Sequence, residues 1–415
     1  MTIFVSIAAY RDPQLVATIE DCLKKARWPS QLRFGVCWQH GEGEAPPPAM
    51  AAGRMRLIDV PYQDSRGACW ARAEIMKLYE GEDYFLQLDS HHRFVRGWDE
   101  RLLHQLDLTG AAKPIVSTYA EVFDPANPDP LQHAPCTVRL SGFRPDGIPW
   151  LACSRVPEGP LRQRPMRARF IAAGSLFTLG AFVQDVPYDP ELYFMGEEVT
   201  LTIRAFTRGY DLFHPSEHIL WHEVKGSERV KHWDDHRPER GAATSWADRD
   251  ASSIRKVTRF LKSPYGGIYG CGSARTFAEY EAYAGLSFRR RWASAETLAD
   301  QEPPPPPAPR APSQERAWAV RLELAREALP PAALDRPWLW YLGFHDEAYA
   351  EIARQDVLRP ELNRALAGAE GPIVIERQFV SDREPRTWTL WPADRRGRWL
   401  NQITGPLDSS CLTAA

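Results

Sequence analysis

The chain has 415 residues, 44% of them hydrophobic and 25% charged, a composition that predicts two or three globular domains with a full core. With 51 basic and 54 acidic residues the net charge is -3, which argues against a nucleic-acid-binding protein. Seven cysteines without CxxC spacing argue against a disulfide framework or a structural zinc site, and no apolar run reaches the length of a membrane span.

The N-terminal region alternates predicted strands and helices. Residues 3–8 predict a first strand rather than a signal peptide, because no basic segment precedes them, and we therefore expect a cytoplasmic protein. A helix is predicted after Asp12 and Pro13, and further strands are predicted at 32–38 and 56–60. This alternation indicates a parallel, doubly wound α/β sheet, which binds ligands at the carboxyl ends of its strands.

A short buried strand, residues 84–88, ends in a polar cluster that begins with Asp89. In an extended backbone, residues two apart lie on the same side, so Asp89 and His91 can converge whereas Ser90 faces away. A carboxylate and an imidazole that leave positions open suit a divalent cation such as Mn²⁺ beside a phosphate. The competing interpretation is a surface turn that happens to contain two histidines.

Two corners of the chain favour close approach of a ligand. A helix entered through Ser65, Arg66 and Gly67 offers amide groups and a cation to a phosphate or a nucleobase, although an ordinary capped helix explains the same residues. Gly174, in the apolar stretch 170–179, would let a ligand or another backbone come close.

Three further residues are candidates for the site. Glu197 and Glu198 open a helix, where the helix dipole alone would favour them; alternatively, one of them hydrogen-bonds substrate hydroxyls. His222 closes an apolar run much as Asp89 does, but taken alone it fits a core or edge histidine.

The remaining sequence suggests domain boundaries more than chemistry. Residues 124–165, rich in prolines and turn residues, predict a long irregular surface excursion. A proline-rich linker at 301–313 separates a domain of residues 1–300 from an accessory domain of residues 314–415, in which we expect a tryptophan-rich helical half (316–366) and a strand-like half (373–400). The chain contains no P-loop, GxSxG or HExxH motif, which removes several enzyme classes.

Several segments, taken together and in order, resemble the GlcNAc-transferase family, whose best-known members modify hydroxyproline on proteins. They are AAYRDP, QDSRGACWAR, LQLDSHHRF, FMGEEVTLTIRAFTRGYDLF, WHE and KHWDD, and they cover about residues 1–240. The resemblance implies a GT-A fold, that is, an α/β domain with a Rossmann-like, doubly wound mixed sheet. It also implies a UDP-sugar donor, a divalent cation and retention of anomeric configuration. The small C-terminal domain, expected to be α+β, lies outside the resemblance.

The resemblance also implies roles for individual residues. Asp89 and His91 match the Asp-x-His metal motif, and by similarity to the related polypeptide GalNAc-transferases His222 completes a site for Mn²⁺ or Mg²⁺. Glu197 and Glu198 would meet donor or acceptor hydroxyls, with binding as their first role and catalysis as their second. The residues that we assign to the donor are Ala8, Tyr10, Arg11, Asp12, Arg66, Gly67, Ser90 and Gly174.

We therefore expect a retaining, metal-dependent glycosyltransferase that moves a sugar, GlcNAc by resemblance, from a UDP-sugar to a hydroxyl acceptor. A protein or peptide is among the candidate acceptors, but the Ala/Arg/Pro-rich composition indicates a bacterial chain, so the eukaryotic acceptor is not carried over. Two alternatives stay open. One is a catalytically inactive GT-A module that binds a sugar or nucleotide; the other is a sugar nucleotidyltransferase, against which stands the lack of a glycine-rich phosphate loop with a lysine near the N-terminus.

Overall fold

A computed structural model describes residues 1–47, 53–125, 134–156, 158–159, 162–223, 229–240, 244–310, 316–335, 337–366, 371–381, 383–408 and 412–414. Parts of the excursion predicted at 124–165 and the end of the proline-rich linker lie outside these residues. The chain divides into two compact units, residues 1–310 and 311–415. None of the helices in the described ranges has both the length and the apolar character needed to cross a bilayer.

The first unit contains fifteen strands and nine helices among its described residues. Its first half consists of β1 (Ile3–Tyr10), α1 (Leu15–Lys25), β2 (Leu32–His40), β3 (Met55–Pro61), α2 (Ala68–Met76), β4 (Tyr84–Asp89), β5 (His92–Phe94), α3 (Trp98–Thr109), β6 (Pro114–Ser117), β7 (Glu121–Val122), β8 (Cys136–Phe143) and β9 (Pro149–Arg155). Its second half consists of β10 (Met166–Arg167), β11 (Ser175–Leu179), α4 (Phe182–Asp185), α5 (Glu197–Thr207), β12 (Asp211–His214), β13 (Leu220–His222), α6 (His232–Asp235), α7 (Trp246–Lys262), α8 (Phe277–Ala284), β14 (Leu286–Ser287), β15 (Trp292–Ala293) and α9 (Ala295–Leu298).

Eight strands form a large mixed sheet in the order β10, β12, β6, β11, β4, β1, β2, β3. The α/β class and the mixed sheet that the resemblance implies are confirmed. The wholly parallel sheet that the alternation alone predicts is wrong, because β11 runs antiparallel to both of its neighbours, β4 and β6. A parallel partner needs a crossover connection, and the described residues between β6 and β11 form strands and loops but no α-helix that could supply one. A small sheet of β5, β13 and β7 lies beyond the end of β4.

Strand β1 is buried on both faces of this sheet. Ile3, Val5 and Ile7 belong to the apolar core that α1 and α3 cover, whereas Phe4 packs with Ile75 of α2 in the core of the other face. Each such side chain contributes about 1.5–3 kcal/mol by leaving water, and a strand covered on both sides is apolar without alternation. The parallel register with β4 then sets Ala8 opposite Asp89, which places the end of β1 beside the polar cluster.

The irregular excursion predicted for residues 124–165 is wrong for its central part, where β8 and β9 form an antiparallel hairpin. From Val138 onward the strand has period two, because Val138 and Leu140 are buried whereas Arg139 is half-buried and Ser141 is exposed. The hairpin turn closes through a hydrogen bond from the Gly147 amide to the Arg144 carbonyl, 2.9 Å long. Its sequence, Arg-Pro-Asp-Gly, is typical of a β-turn, and a β-turn between two strands indicates a hairpin.

The described part of the proline-rich linker lies along the first unit. The Glu302 carboxylate binds the Arg164 guanidinium at 2.8 Å, and the Pro307 carbonyl accepts a hydrogen bond of 2.7 Å from Arg275. Residues 302–310 are therefore held against this unit by their own polar groups.

The second unit is mostly β-structure. Its elements are β16 (Arg316–Leu324), α10 (Pro331–Leu334), β17 (Leu339–His345), β18 (Glu351–Arg354), β19 (Val357–Leu358), α11 (Arg359–Leu366), β20 (Ile373–Ser381), β21 (Thr387–Ala393), β22 (Ile403–Pro406) and β23 (Leu412–Ala414). The helical half predicted for 316–366 is wrong over β16 and β17. In β16 the apolar Val320, Leu322 and Leu324 alternate with Arg321 and Glu323, which is the period of a strand.

Candidate functional site

A cavity of about 700 Å³ opens at the carboxyl end of β4, a volume typical of small-molecule sites. Its lining combines polar and apolar side chains, which we call the polar wall and the apolar wall. The polar wall includes Arg72, Asp89, His92, Glu197, Glu198 and His222. The apolar wall includes Tyr119, Val122, Trp150, Leu151, Phe194 and Met195.

Asp89, His91 and His222 converge at the polar wall. Asp89 is the last residue of β4, and β13 carries His222 to the same point by pairing with β5. One ligand atom from each residue lies within 4.8 Å of those of the other two, and His222 Nε2 is 3.2 Å from Asp89 Oδ2. The three residues, taken from two distant parts of the chain, therefore present an oxygen and two nitrogens to one point.

Asp12 fixes the orientation of His91. Its buried carboxylate lies 2.7 Å from His91 Nδ1 and accepts a hydrogen bond of 2.6 Å from the Ser90 hydroxyl. Burial opposes ionisation of Asp12, but the hydrogen bonds that its carboxylate accepts, first from His91 and then from Ser90 and Gln14, outweigh it and lower the pKa of Asp12 to about 2. An ionised carboxylate on Nδ1 makes that nitrogen the donor, which leaves Nε2 of His91 free to bind a cation.

Arg72 links Asp89 to the start of α5. Its guanidinium donates to Asp89 Oδ1 at 2.6 Å and to the Glu197 carboxylate, and only 4% of the residue is exposed. Although burial disfavours a charged carboxylate, the hydrogen bond to His222 and the charge of Arg72 hold the pKa of Asp89 well below its usual value. The arginine thus holds both carboxylates in place, and its charge helps to keep Asp89 ionised.

Gly174 makes room for the Asp89 carboxylate. A Cβ at residue 174 would lie 2.8 Å from Asp89 Oδ2, and the Gly174 carbonyl accepts the Asp89 amide at 3.1 Å. The space beside Gly174, predicted for a ligand or another backbone, is therefore filled by the Asp89 carboxylate.

Glu198 lies in the same wall with different surroundings. Its carboxylate accepts hydrogen bonds from the Ala173 amide, at 2.9 Å, and from the Tyr119 hydroxyl. Burial raises the pKa of Glu198 to about 7, even though both of these donors favour the ionised form. Near neutral pH this side chain can therefore accept or donate a proton within the cavity.

The donor-binding residues predicted at the end of β1 face another part of the protein. The Tyr10 hydroxyl and the Arg11 guanidinium both donate to the buried carboxylate of Asp235 in α6, each at 2.9 Å. Arg66 is exposed and lies over the Trp70 ring, 5.8 Å from its centroid.

The cavity wall as described brings together only some of the predicted residues. It includes Asp89, Gly174, Glu197, Glu198 and His222, whereas Ala8, Tyr10, Arg11, Asp12, Arg66, Gly67, Ser90 and His91 lie outside that wall. Gly67 has a φ of +106°, and a Cβ there would lie 2.6 Å from the Tyr193 ring, so its position is set by packing.

Sequence reasoning missed several residues of the wall. Arg72 carried a signal, because it lies on the α2 face that Cys69 and Ile75 bury, where a charged residue needs a partner. The sequence around Tyr119 and Trp150 carried no such signal. Their place in the cavity lining depends on where the chain after β6 and the β8 to β9 hairpin meet the cavity.

The donor set at the convergence point fits a divalent cation. One carboxylate oxygen and two imidazole nitrogens leave coordination positions open, as suits Mn²⁺, and burial lowers the pKa of His91, which keeps its imidazole neutral as a ligand must be. The site can therefore hold a cation next to a cavity that offers two further carboxylates.

Comparison with known families gives one match. A family model described as "Glycosyltransferase (GlcNAc)" matches residues 2–53 and 47–290, well over half of the chain. No curated protein sequence matches.

Solved structures that align with this chain include GalNAc-T7 with UDP, GalNAc and Mn²⁺, at 16% identity and a TM-score of 0.47, covering 68% of this chain and 50% of that one. This chain thus spans half the length of GalNAc-T7. Residues 1–349 of S. aureus TarS in complex with UDP-GlcNAc align at 11% identity and a TM-score of 0.37, covering 63% of this chain and 73% of that one. A longer TarS structure aligns at 7% identity and a TM-score of 0.36, covering 99% and 86%.

Proposed function

Since the chain belongs to the GlcNAc glycosyltransferase family, we propose that it transfers GlcNAc from UDP-GlcNAc to a hydroxyl acceptor, with a divalent cation and with retention of anomeric configuration. The observation that carries the proposal is the convergence of Asp89, His91 and His222 beside the cavity. Three potential ligands from two distant segments meet at the carboxyl end of a central strand, where α/β sheets bind their substrates.

Asp89, His91 and His222 would hold the cation. A bound Mn²⁺ or Mg²⁺ would supply positive charge to the UDP diphosphate as the glycosidic bond breaks. Asp12 would not bind the cation itself but would hold the His91 ring so that Nε2 faces the cation position.

The cavity would bind the transferred sugar and the acceptor. The Glu197 carboxylate already binds the Arg72 guanidinium, so Glu197 would position that arginine and, through it, Asp89. Glu198 lies more open to the cavity and would accept hydrogen bonds from substrate hydroxyls in its ionised form. The apolar wall, with Tyr119 and Trp150, would pack against carbon faces of the substrate and exclude water from the departing bond.

The nucleoside would lie towards the end of β1, on the far side of the cation position from the cavity. Ala8, the Arg66 and Gly67 corner, and the tied side chains of Tyr10 and Arg11 belong to this side. We assign Asp12 and Ser90 to supporting His91 rather than to contact with the donor, because their side chains hydrogen-bond each other next to that ring.

Release of UDP tests this function directly. The purified chain would be incubated with UDP-GlcNAc, UDP-Gal or UDP-Glc, in Mn²⁺ or in EDTA, with water taking the place of the acceptor, and the free UDP that this hydrolysis releases would be measured. We expect release from UDP-GlcNAc that needs Mn²⁺ and is abolished in Asp89→Ala. The matched control is Asp59→Ala, which removes an exposed carboxylate paired with His40 and should keep wild-type activity.

Three results would each contradict the proposal. Donor binding without UDP release would indicate an inactive binding module. Pyrophosphate release from UTP and a sugar phosphate would indicate a nucleotidyltransferase. Full activity in EDTA would show that no cation is required.

The stereochemistry needs a separate test. Once an acceptor has been identified, the proton coupling constant of the product gives its anomeric configuration and so distinguishes retention from inversion.

A further inference from the structure

The second unit carries an exposed row of aromatic rings on one face of a sheet. In β17 and β21, Leu342 pairs with Leu390 and both side chains are fully buried in the core. The alternate residues, Tyr341 and Trp391, face each other across the two strands on the other side of the sheet. This outer side is where a soluble domain would normally place polar residues.

A second tryptophan extends the row. Trp399 forms a bridge with Ala393 two residues beyond Trp391, and the two indole rings lie 5.0 Å apart at 39°. Trp391 is 38% exposed and Trp399 is 47% exposed. A hydrogen bond of 2.7 Å from Trp391 Nε1 to the Leu400 carbonyl fixes the first ring. The Trp391 ring is therefore held by its hydrogen bond and Trp399 by its backbone bridge, and both side chains remain partly exposed to solvent.

Arg354 of β18 completes the row on the opposite side, with its guanidinium 4.7 Å from the centre of the Tyr341 ring. We call Trp399, Trp391, Tyr341 and Arg354 the aromatic strip. Its members belong to neighbouring strands, so at the usual spacing between strands the strip is about 15 Å long.

The turn next to the strip is locally basic. Asp394 accepts the backbone amides of Arg396 and Arg398 and pairs with the Arg398 guanidinium at 2.8 Å, which neutralises its charge. Arg395 and Arg396 are exposed, and neither has an ion-pair partner within the described part of the unit. Two positive charges are thus available at the Trp399 end of the strip.

We propose that the aromatic strip binds an anionic polysaccharide chain, such as one built from uronic acids. The C–H faces of sugar rings pack against the electron-rich faces of tryptophan and tyrosine, and a row of rings suits a chain of sugars. The free guanidinium groups of Arg395 and Arg396 complement carboxylates on that chain.

Calorimetric titration of the full-length chain with polygalacturonate, without donor or added metal, tests the proposal. We expect binding that weakens at least tenfold in Trp391→Ala/Trp399→Ala and in Arg395→Ala/Arg396→Ala, and that weakens with added salt. Trp338→Ala is the matched control, because it removes a tryptophan of the same unit that is 54% exposed and outside the strip. That variant should bind as the wild type does.

Several outcomes would overturn the proposal. They are no binding of polygalacturonate, equal binding of neutral dextran, tighter binding of single-stranded DNA, or an equal loss in Trp338→Ala. Trp399→Tyr, which keeps an aromatic face, should retain most of the affinity and separates loss of the strip from loss of the fold. Because no donor is present, failure here leaves the proposed sugar transfer untouched, and failure of UDP release leaves this binding untouched.

Discussion

Gly174→Ala should impair the cation site without unfolding the protein. The new Cβ would lie 2.8 Å from Asp89 Oδ2, whereas ordinary contacts begin at 3.4 Å, so the carboxylate must shift by about 0.6 Å. Because misplacement by about 1 Å can lower a rate about 100-fold, we expect kcat/KM for UDP-GlcNAc to fall about tenfold. That loss corresponds to about 1.4 kcal/mol of transition-state stabilisation. Folding should be spared, since the backbone of Gly174 does not require a positive φ.

Gly266→Ala is the control for this experiment, because its Cβ would meet nothing closer than the Cys271 carbonyl at 4.0 Å. Both variants would be assayed for UDP release over a range of Mn²⁺ concentrations, alongside their thermal unfolding midpoints. The prediction is a weaker response to Mn²⁺ in Gly174→Ala alone. A folded Gly174→Ala protein with the wild-type rate and Mn²⁺ dependence would refute the reasoning.

Three further changes test the groups around Asp89. Asp12→Asn removes the charge that orients His91, so half-maximal activity should need about 10–100 times more Mn²⁺; an unchanged Mn²⁺ titration would contradict this. Arg72→Met leaves the buried Glu197 carboxylate and the partly exposed Asp89 carboxylate without their cation. Urea unfolding should show a loss of about 3–5 kcal/mol, most of it from Glu197, part of which Glu197→Gln restores in the double variant. Burial raises the pKa of Glu198 from 4.5 to about 7, so the folded state holds a proton that the unfolded state releases, and stability should fall as pH rises across that interval. In Glu198→Gln the difference between urea unfolding at pH 5 and at pH 8 should shrink, and an unchanged difference would argue against a buried Glu198.

Local sequence patterns identified the ends of the strands that form the site. Asp89 and His222 each close an apolar run, and such a run fixes where a buried strand ends and which residue reaches the sheet edge. Whether two such ends meet depends on strand order, which a local pattern does not contain. The family resemblance, not the spacing, paired His222 with Asp89.

The supporting contacts could not be read from the sequence because they join distant residues. Asp12 looked like a helix cap, and its Oδ1 does accept the Gln14 amide at 2.9 Å. Its other oxygen binds His91, 79 residues away, only because β1 and β4 are adjacent and in parallel register. The same holds for Arg72, whose position on a buried helix face signalled a partner but not which one.

The two wrong predictions of local structure have a common cause. In the 136–155 region and in β16, prolines, tryptophans and arginines hid an alternation of buried and exposed residues with period two. Composition was given more weight than periodicity in both places, and periodicity is the physical signal of a strand.

Binding of Mn²⁺, followed by its electron paramagnetic resonance signal, tests the central claim most directly. The account predicts one bound ion per chain, tighter binding when UDP is added, and loss of the bound ion in Asp89→Ala and in His222→Ala. Stoichiometric Mn²⁺ binding that survives both substitutions, or no binding by the wild-type chain with UDP present, would contradict it.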